Sequence, residues 1–252
     1  MILLGDGVFR GEGNWDLQLT YKSLTIASES GDPTRTFIDC TDGGTLHTAF
    51  YFIFGYSDVV IRGLGMFNGD GGGVMGVGGA VSVFGCRPTI DTCIFAGNRA
   101  RYGGAISAGT VNLHILSCTF HENEATAHRG DAALFIDSMG QSFVEMRDCI
   151  LAFGRGGRSI EVWGEPVTLD CCDVFGNVGG DYIGAIEGQL GIRGNISADP
   201  LFCDPENLDL RLHSDSPCAP GGECGLMGAL PIGRGPTPAE ATTWGAIKAL
   251  YR

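Results

Sequence analysis

Residues 78–123 read GGAVSVFGCRPTIDTCIFAGNRARYGGAISAGTVNLHILSCTFHEN, and this stretch contains one pattern twice. Each copy opens with GGA, continues through alternating apolar residues to a Cys, and ends on Asn. The landmarks of the two copies share a spacing of 25 residues, namely Gly79 and Gly104, Cys93 and Cys118, and Asn98 and Asn123. A fixed period of this size is typical of a solenoid, in which each repeat forms one coil.

The pattern continues on both sides of this pair. Written as Cys-x-apolar-x-x-Asn, it recurs at Cys149, where Gly154 replaces Asn, and again at Cys172. Upstream it recurs from Gly65, without the Cys. The steps between successive copies are 28, 25, 31 and 23 residues. The unit averages about 27 residues and tolerates insertions, as stacked coils with variable loops do.

The side-chain pattern within each repeat predicts three short strands per coil. Apolar residues occupy the positions five and three before each Cys, and the Cys and the residue two after it form a second apolar set. Because inward-facing residues alternate along a strand, the odd step between these sets requires a corner just before the Cys. A third strand follows GGA, with these inward pairs: Val81/Val83, Ile106/Ala108, Leu134/Ile136 and Ile160/Val162.

Three strands per coil, stacked in register, describe an all-β fold, the single-stranded parallel β-helix. We expect about eight coils over residues 1–230. Asn98, Asn123 and Asn177 would lie at a corner, where Asn tolerates left-handed backbone and can bond along the stack. We expect the stacked Cys to be buried free thiols, because parallel Cβ vectors suit a disulfide poorly: Cys93, Cys118, Cys149 and Cys172.

The two ends of the chain read differently. From Asn195 the repeat is lost, and the sequence predicts a last, irregular coil. Residues 231–252 begin as a Pro/Gly-rich linker, after which Trp244, Ile247 and Tyr251 share one face of a short helix or tail. The first residues already read as strand and turn, so we expect an N-terminal cap and any signal peptide to lie upstream of Met1.

Composition limits the partners. The chain has 252 residues, 42 of them Gly, and 44% are hydrophobic, so it can fill a core and lacks the Gly period of collagen. No apolar run reaches about 18 residues, and we expect no membrane span. The formal net charge of −13 opposes nucleic-acid binding, which depends on cations that neutralise phosphates. A neutral partner is easier to accommodate.

The GGA[VI] and C-x-F-x-x-N repeats, with the terminal pattern ADPLF…SPC…GLMGA, resemble those of bacterial right-handed parallel β-helix repeat proteins over roughly residues 1–230. The GGA[I] and FxxN elements at residues 103–106 and 120–123 are also similar to chlamydial polymorphic outer-membrane passengers. The resemblance implies a right-handed helix, and a secreted or cell-surface protein that is either a pectin-type polysaccharide enzyme or a non-catalytic adhesin or stalk.

No catalytic residue carries over from that resemblance. The polygalacturonase-type signatures NTD, DD, GHG and RIK do not occur in the chain. The DPEN sequence at 204–207 lacks the His of the DPHE motif of alginate epimerases and lies in the closing segment. Any catalytic group must therefore come from the outward positions between the repeated residues.

One set of outward polar residues precedes the Cys column. His114, Glu145 and Thr168 lie four before a Cys, and Asp91, Arg147 and Asp170 lie two before one. A lyase needs a base and cations that stabilise an enolate, and His114, Glu145, Arg147 and Asp170 are the catalytic candidates. The alternative is a solvated sheet face with cross-strand charge pairs.

A second outward column lies on the strand after GGA. It contains Ser82, Ser107, Phe135 and Glu161, with Trp163 nearby. Aromatic and hydroxyl groups on a flat face suit sugar rings, because stacking and hydrogen bonding act together there, so we interpret this column as ligand-facing. The alternative is an ordinary surface or the underside of a loop.

Basic residues follow the Asn corner at similar intervals, as Arg99/Arg101, His128/Arg129 and Arg155/Arg158. This cationic stripe could dock a carboxylate-bearing glycan, or simply pair with Glu122, Glu124 and Asp131. Cys218–Cys224 is the best disulfide candidate if the protein is exported. Ca²⁺ could bind Asp39, Asp42 and Asp70, although acidic turn residues usually cap loops, and the sequence predicts no metal site or other cofactor.

These patterns favour a secreted or cell-surface β-helix that binds carbohydrate or serves as a structural module. A polysaccharide or cell-surface glycan would be its partner. The alternative is a polysaccharide lyase or glycoside hydrolase of the pectin-type β-helix group.

Overall fold

The computed structural model describes residues 1–41, 43–44, 46–53, 58–72, 78–109, 111–126, 131–137, 143–164 and 167–233, with the backbone alone at 131 and 132. Nearly all regular structure is parallel β-strand, arranged in three long sheets that run along the solenoid. Successive coils contribute one strand to each sheet, so strands far apart in sequence lie side by side. The predicted all-β parallel β-helix is confirmed.

Sheet A precedes the Cys column and has seven strands: Ile2–Leu4, Leu24–Ser28, Asp58–Arg62, Arg87–Asp91, Asn112–Leu116, Phe143–Arg147 and Val167–Asp170. Sheet B follows it, also with seven: Gly7–Phe9, Thr36–Asp39, Gly65–Phe67, Ile94–Ala96, Thr119–His121, Ile150–Ala152 and Asp173–Phe175. Sheet C has six: Leu17–Thr20, Phe50–Ile53, Val81–Phe84, Ile106–Gly109, Asp131–Asp137 and Arg158–Trp163. The solenoid therefore has fewer strand-forming coils than the eight predicted.

Four short strands and two 3₁₀ helices complete the regular structure of the described residues. Arg99–Ala100 and Glu124–Ala125 form a parallel pair, and Phe202–Asp204 pairs antiparallel with Asp209–Leu212. The 3₁₀ helices are Gly184–Gln189 and Pro205–Asn207. No helix in these described segments is long and apolar enough to cross a membrane.

The repeat period places identical residues in register. Ile106 pairs with Val81 on one side and with Leu134 on the other, and all three are buried. In sheet B the rings of Phe95 and Phe120 stack with centroids 4.8 Å apart. Adjacent coils thus repeat the same core contact at the strand spacing of about 4.8 Å.

The corner predicted before each Cys is present, and one residue makes it. Each residue directly before a column Cys has left-handed backbone, with φ of 53° at Thr92, 47° at Ser117, 53° at Asp148 and 52° at Cys171. This single reversal changes which alternate residues face inward. The Cys that follow these corner residues are buried free thiols, as expected: Cys93, Cys118, Cys149 and Cys172.

The Asn column lies at the second corner and bonds along the stack, as predicted. Asn98 donates from Nδ2 to the Met66 carbonyl at 2.9 Å, and Asn123 donates in the same way to the Phe95 carbonyl at 3.0 Å. The left-handed residue, however, is the one before the Asn, for example Glu122 with φ of 52°. The expectation that Asn itself would be left-handed is wrong. Its amide instead spans two coils.

The irregular coil comes earlier than predicted and closes one end of the solenoid. Ile186 of the Gly184–Gln189 helix is fully buried against the last coil, and the Tyr182 hydroxyl donates to the Cys172 carbonyl at 2.9 Å. The Gln189 side chain bonds both the amide of Leu169 and the carbonyl of Val167. At the opposite end, Ile2 of the first coil remains 49% exposed. The upstream cap stays a prediction.

Residues 199–233 do not form a coil. They return across the outer face of sheet B, and we call them the strap. Leu210 and Leu230 pack on Ile94, while Met227 packs on Ile150. The Ala229 amide donates to Thr119 Oγ1 at 2.9 Å. Both faces of the four central sheet B strands, from Gly65–Phe67 to Ile150–Ala152, are thereby buried. The predicted tail helix with Trp244, Ile247 and Tyr251 lies outside the described residues.

Candidate functional site

The polar residues of sheet A meet as two cross-strand pairs. His114 lies opposite Glu145, with Nδ1 3.3 Å from Oε2. Arg147 lies opposite Asp170, with Nη2 3.2 Å from Oδ2, and this hydrogen bond raises the pKa of the arginine. Thr168 pairs with Glu145 in the register and adds no charge.

The four candidates do not line one cavity. His114 borders a depression of about 350 Å³ together with Asp58 and Asn112. Arg147 and Asp170 border another, of about 450 Å³, beside the strap. Other pairs on this face have the same geometry, such as Arg62 with Asp91 at 2.8 Å. The arrangement matches the predicted alternative of a solvated face with cross-strand charge pairs.

The outward column of sheet C is in register as predicted, but most of it is covered. Ser82 and Ser107 are each 8% exposed and Phe135 is 4% exposed. The first glycine of GGA packs closely against this strand, since a Cβ on Gly78 would lie 2.6 Å from Ser82 Oγ. Ser82, Ser107 and Phe135 are therefore buried rather than presented to a ligand, contrary to the prediction.

The same column ends in an accessible aromatic group. Trp163 is 46% exposed, and its ring meets that of Phe135 edge to face with centroids 5.0 Å apart. Tyr102 lies 5.1 Å from Phe135 and 6.1 Å from Trp163. Together they form what we call the aromatic platform: Tyr102, Phe135 and Trp163. Sequence spacing could not identify Tyr102, since it lies in a turn outside the column.

Polar groups fix the platform in place. Trp163 Nε1 donates to Glu161 Oε1 at 3.2 Å, and Arg158 Nη1 donates to Glu161 Oε2 at 2.8 Å. The guanidinium of Arg101 lies 5.4 Å from the centre of the Tyr102 ring. An exposed Trp whose indole N–H and ring edge are both held loses little freedom when a ligand stacks on it.

The basic residues after the Asn corner are largely paired. Arg99 lies between Asp70 and Glu124, at 3.9 and 3.6 Å. Arg155 bonds Glu122. His128, Arg129 and the side chain of Asp131 lie outside the described part of the chain. Arg99, Arg155 and Arg158 thus pair with carboxylates, as in the alternative interpretation, whereas Arg101 lies over the Tyr102 ring.

Cys224 forms a disulfide, but with Cys171 rather than with Cys218. The Cα atoms are 5.6 Å apart, whereas the Cys218 thiol is buried and donates to Asp173 Oδ2 at 3.2 Å. The reason is the corner: Cys171 occupies the left-handed position before Cys172, which turns its side chain away from the core. The sequence did offer one signal for this pairing, namely a Cys at a position that faces outward in the repeat. The bond clips the strap to the last full coil.

Two buried ionisable groups lie beneath the strap. Burial raises the pKa of Asp173 to about 7, against hydrogen bonds from the Ala198 amide and Cys218 that lower it. Burial lowers the pKa of His121, whose Nδ1 has no hydrogen-bond partner among the described residues. Its ring contacts Phe153 and Phe202 edge to face. Both residues occupy positions of sheet B whose side chains point away from the core of the solenoid.

One cleft of the described structure was not indicated by the sequence. A cleft of about 880 Å³ lies between the first coils of sheet B and the strap, and we call it the strap cleft. Asp39 lines it and accepts hydrogen bonds from Arg10, Thr41 and Asn68. These bonds lower its pKa although burial alone would raise it.

The described members of the possible Ca²⁺ ligand set do not form a cation site. Asp39 is occupied by protein donors, Asp70 caps the Gly72 amide at 2.9 Å, and Asp42 lies outside the described residues. Within the described segments no group of three or more His, Cys, Asp or Glu could hold a metal ion. The two described carboxylates act as loop caps, which was the alternative interpretation.

The sheets, corners and in-register columns define a β-solenoid by geometry alone. No protein family, no curated protein and no solved structure matches this chain. The chain is thus assigned by its topology, as a parallel β-solenoid with an aromatic platform on sheet C and a cleft beneath its strap.

Proposed function

We propose that the chain is a carbohydrate-binding module of a secreted or cell-surface β-helix protein, and that sugar rings stack on the aromatic platform. The observation that carries the proposal is Trp163, which is 46% exposed yet held by Glu161 and Phe135. A large, pre-positioned indole face next to a fixed carboxylate offers a sugar both an apolar surface and a hydrogen-bond acceptor.

The charges around the platform favour a neutral glycan. Arg158 is bound to Glu161, and Arg101 lies over Tyr102. Since the chain carries a formal charge of −13, an acidic polysaccharide would be repelled by the body of the molecule.

Two observations support a location outside the cell. The Cys171–Cys224 disulfide is a bond that persists in oxidising compartments. The resemblance of the GGA[VI] and C-x-F-x-x-N repeats to bacterial right-handed β-helix proteins, including chlamydial polymorphic outer-membrane passengers, points the same way.

The test is affinity gel electrophoresis on a panel of polysaccharides, with cellulose derivatives, xylan and mixed-linkage glucan as neutral members and pectate and alginate as acidic ones. Trp163→Ala is expected to weaken retardation by a neutral polysaccharide at least tenfold. Phe143→Ala is the matched control, because Phe143 is also 46% exposed but lies on sheet A beside His114. Equal retardation of Trp163→Ala and the parent chain would refute the platform as the binding site.

The enzyme alternative rests on the contact between His114 and Glu145 at 3.3 Å, which is a geometry a base and its partner can use. A polysaccharide lyase or glycoside hydrolase would use His114, Glu145, Arg147 and Asp170. Turnover of pectate or a neutral glycan that is abolished by Glu145→Gln would favour it over the binding module.

A further inference from the structure

The strap cleft has the dimensions and the lining of a ligand site. Its volume of about 880 Å³ falls in the range of roughly 300–1,000 Å³ that small-molecule sites occupy. The coil side presents the turn at 30–34 together with Arg10 and Asp39, and the strap side presents residues 207–211 and 229–231. The site therefore exists only because the strap crosses sheet B.

On the coil side, a buried carboxylate holds an exposed arginine. The Arg10 side chain is 63% exposed, whereas that of Asp39 is 6% exposed. Arg10 donates from Nε at 2.9 Å and from Nη2 at 2.5 Å to Asp39 Oδ2, while Thr41 and Asn68 donate to Oδ1. With both oxygens of Asp39 occupied, the guanidinium is fixed at the border of the cleft before any ligand arrives.

The strap side repeats this arrangement. Arg211 donates from Nε at 2.7 Å and from Nη2 at 2.5 Å to the two oxygens of Asp209, two residues away on the same strand. Its side chain is 46% exposed. The cleft is thus bordered by two guanidinium–carboxylate pairs, one from the first coils and one from a segment about 200 residues later in the chain.

Between the two pairs lies an apolar surface. Phe37 and Phe67 meet edge to face with centroids 5.1 Å apart, and Ile94 and Leu230 extend the lining. The aromatic pair is possible because Gly65, which pairs with Phe37 and lies two residues before Phe67, has no side chain; a Cβ there would lie 2.8 Å from Phe37 Cβ and 2.8 Å from Cε2 of the Phe67 ring. Phe37 is the partly exposed one of these four residues, and its ring can contact the C–H face of a sugar ring.

The charges select the ligand class. The exposed guanidinium groups only donate and the partly exposed carboxylates of Asp32 and Asp209 only accept, so a ligand that bonds to both kinds of group must offer donors and acceptors together, as ring hydroxyls do. Asp32, Asp39 and Asp209 outnumber Arg10 and Arg211 in the lining. A polyanion is therefore disfavoured.

We propose that the strap cleft binds a neutral hexose unit of a short oligosaccharide, between the Arg10–Asp39 and Arg211–Asp209 pairs and over Phe37. This second site rests on the proposed function for its ligand class and uses none of the residues of the aromatic platform.

The test is isothermal titration calorimetry of the whole chain with cellobiose, lactose and maltose as neutral probes and digalacturonate as the acidic one. At least one neutral disaccharide is expected to bind, and Arg211→Ala is expected to raise its Kd at least tenfold. Arg62→Ala is the matched control, since it removes another exposed ion pair on sheet A and should leave the Kd unchanged. Asp209→Asn, which releases Arg211 without shortening a side chain, should weaken binding in the same direction.

The outcomes separate the two sites. Disaccharide binding that survives Arg211→Ala and Asp209→Asn but is lost in Trp163→Ala overturns the cleft and leaves the platform standing. Binding lost in Arg211→Ala and kept in Trp163→Ala supports the cleft, even if the polysaccharide gels show no retardation. Tighter binding of digalacturonate than of every neutral disaccharide would overturn the ligand class.

Discussion

Replacement of Asn123 by Ala tests whether the Asn column holds neighbouring coils together. Asn123 is 1% exposed and lies between two coils. Its Oδ1 accepts from the Asn98 amide at 3.1 Å and from Asn98 Nδ2 at 3.0 Å, and its Nδ2 donates to the Phe95 carbonyl at 3.0 Å. Alanine removes all three bonds at once.

The expected loss follows from those bonds. Each typical hydrogen bond contributes a net of about 1 kcal/mol, and a buried group left without a partner costs about 1–3 kcal/mol. The Asn98 amide and the Phe95 carbonyl would both lose the partner described above. We therefore expect the free energy of unfolding to fall by about 3–5 kcal/mol, a large part of the roughly 5–15 kcal/mol that stabilises a typical native protein.

Urea unfolding followed by circular dichroism measures the change, with the denaturant slope checked for two-state behaviour. Asn112→Ala is the control, because Asn112 is exposed at the start of its strand and surface changes usually cost less than about 0.5 kcal/mol. If Asn123→Ala loses less than 1 kcal/mol, or no more than Asn112→Ala, the column does not hold the coils together.

Three further predictions concern the strap and sheet A. Cys224→Ser opens a loop with a sequence separation of 53; chain entropy gives a loss of about 4 kcal/mol, which urea unfolding should show and reductant should reproduce in the parent chain. The pKa of Asp173 is about 7 in the folded chain and 3.8 ordinarily. Its contribution to the free energy of unfolding is therefore full below pH 4 and is lost as the pH rises to 7, because the unfolded chain gives up the proton first. Asp173→Asn should remove that loss and raise stability at pH 8 by up to about 4 kcal/mol, at 1.36 kcal/mol per pKa unit, with no gain at pH 4; equal effects at both pH values would contradict it. Glu145→Gln should change stability by less than about 1 kcal/mol, since its pair with His114 is exposed; thermal melts that show a larger drop would mean that the pair is structural.

The fold was predictable from the sequence because its main contacts are periodic. Val81, Ile106 and Leu134 follow one another at steps of 25 and 28 residues, one per coil, and lie side by side in the sheet. Sheet A charge pairs such as His114–Glu145 follow from the same register. Patterns of this kind can be read without knowing the path of the loops, since every coil repeats them.

The site was less predictable because its decisive contacts are aperiodic. Ala229 bonds Thr119 across 110 residues, and nothing in a repeat of about 27 residues specifies that the chain will return along sheet B. Phe135 is covered by a turn residue, Tyr102, which lies outside every column. The disulfide partner of Cys224 was missed for the same reason.

The sequence by itself thus determined the solenoid, its three strands per coil, the corner before each Cys and the inward columns of Cys, Phe and Asn, because matching residues recur once per coil and the stacking of coils places them side by side. The tertiary structure decided which outward residues meet solvent, which Cys pair, and that Arg10 and Arg211 border one cleft. Those outcomes depend on where the non-repeating strap and turns pack, and the packing of such segments is set by distant surfaces rather than by local pattern.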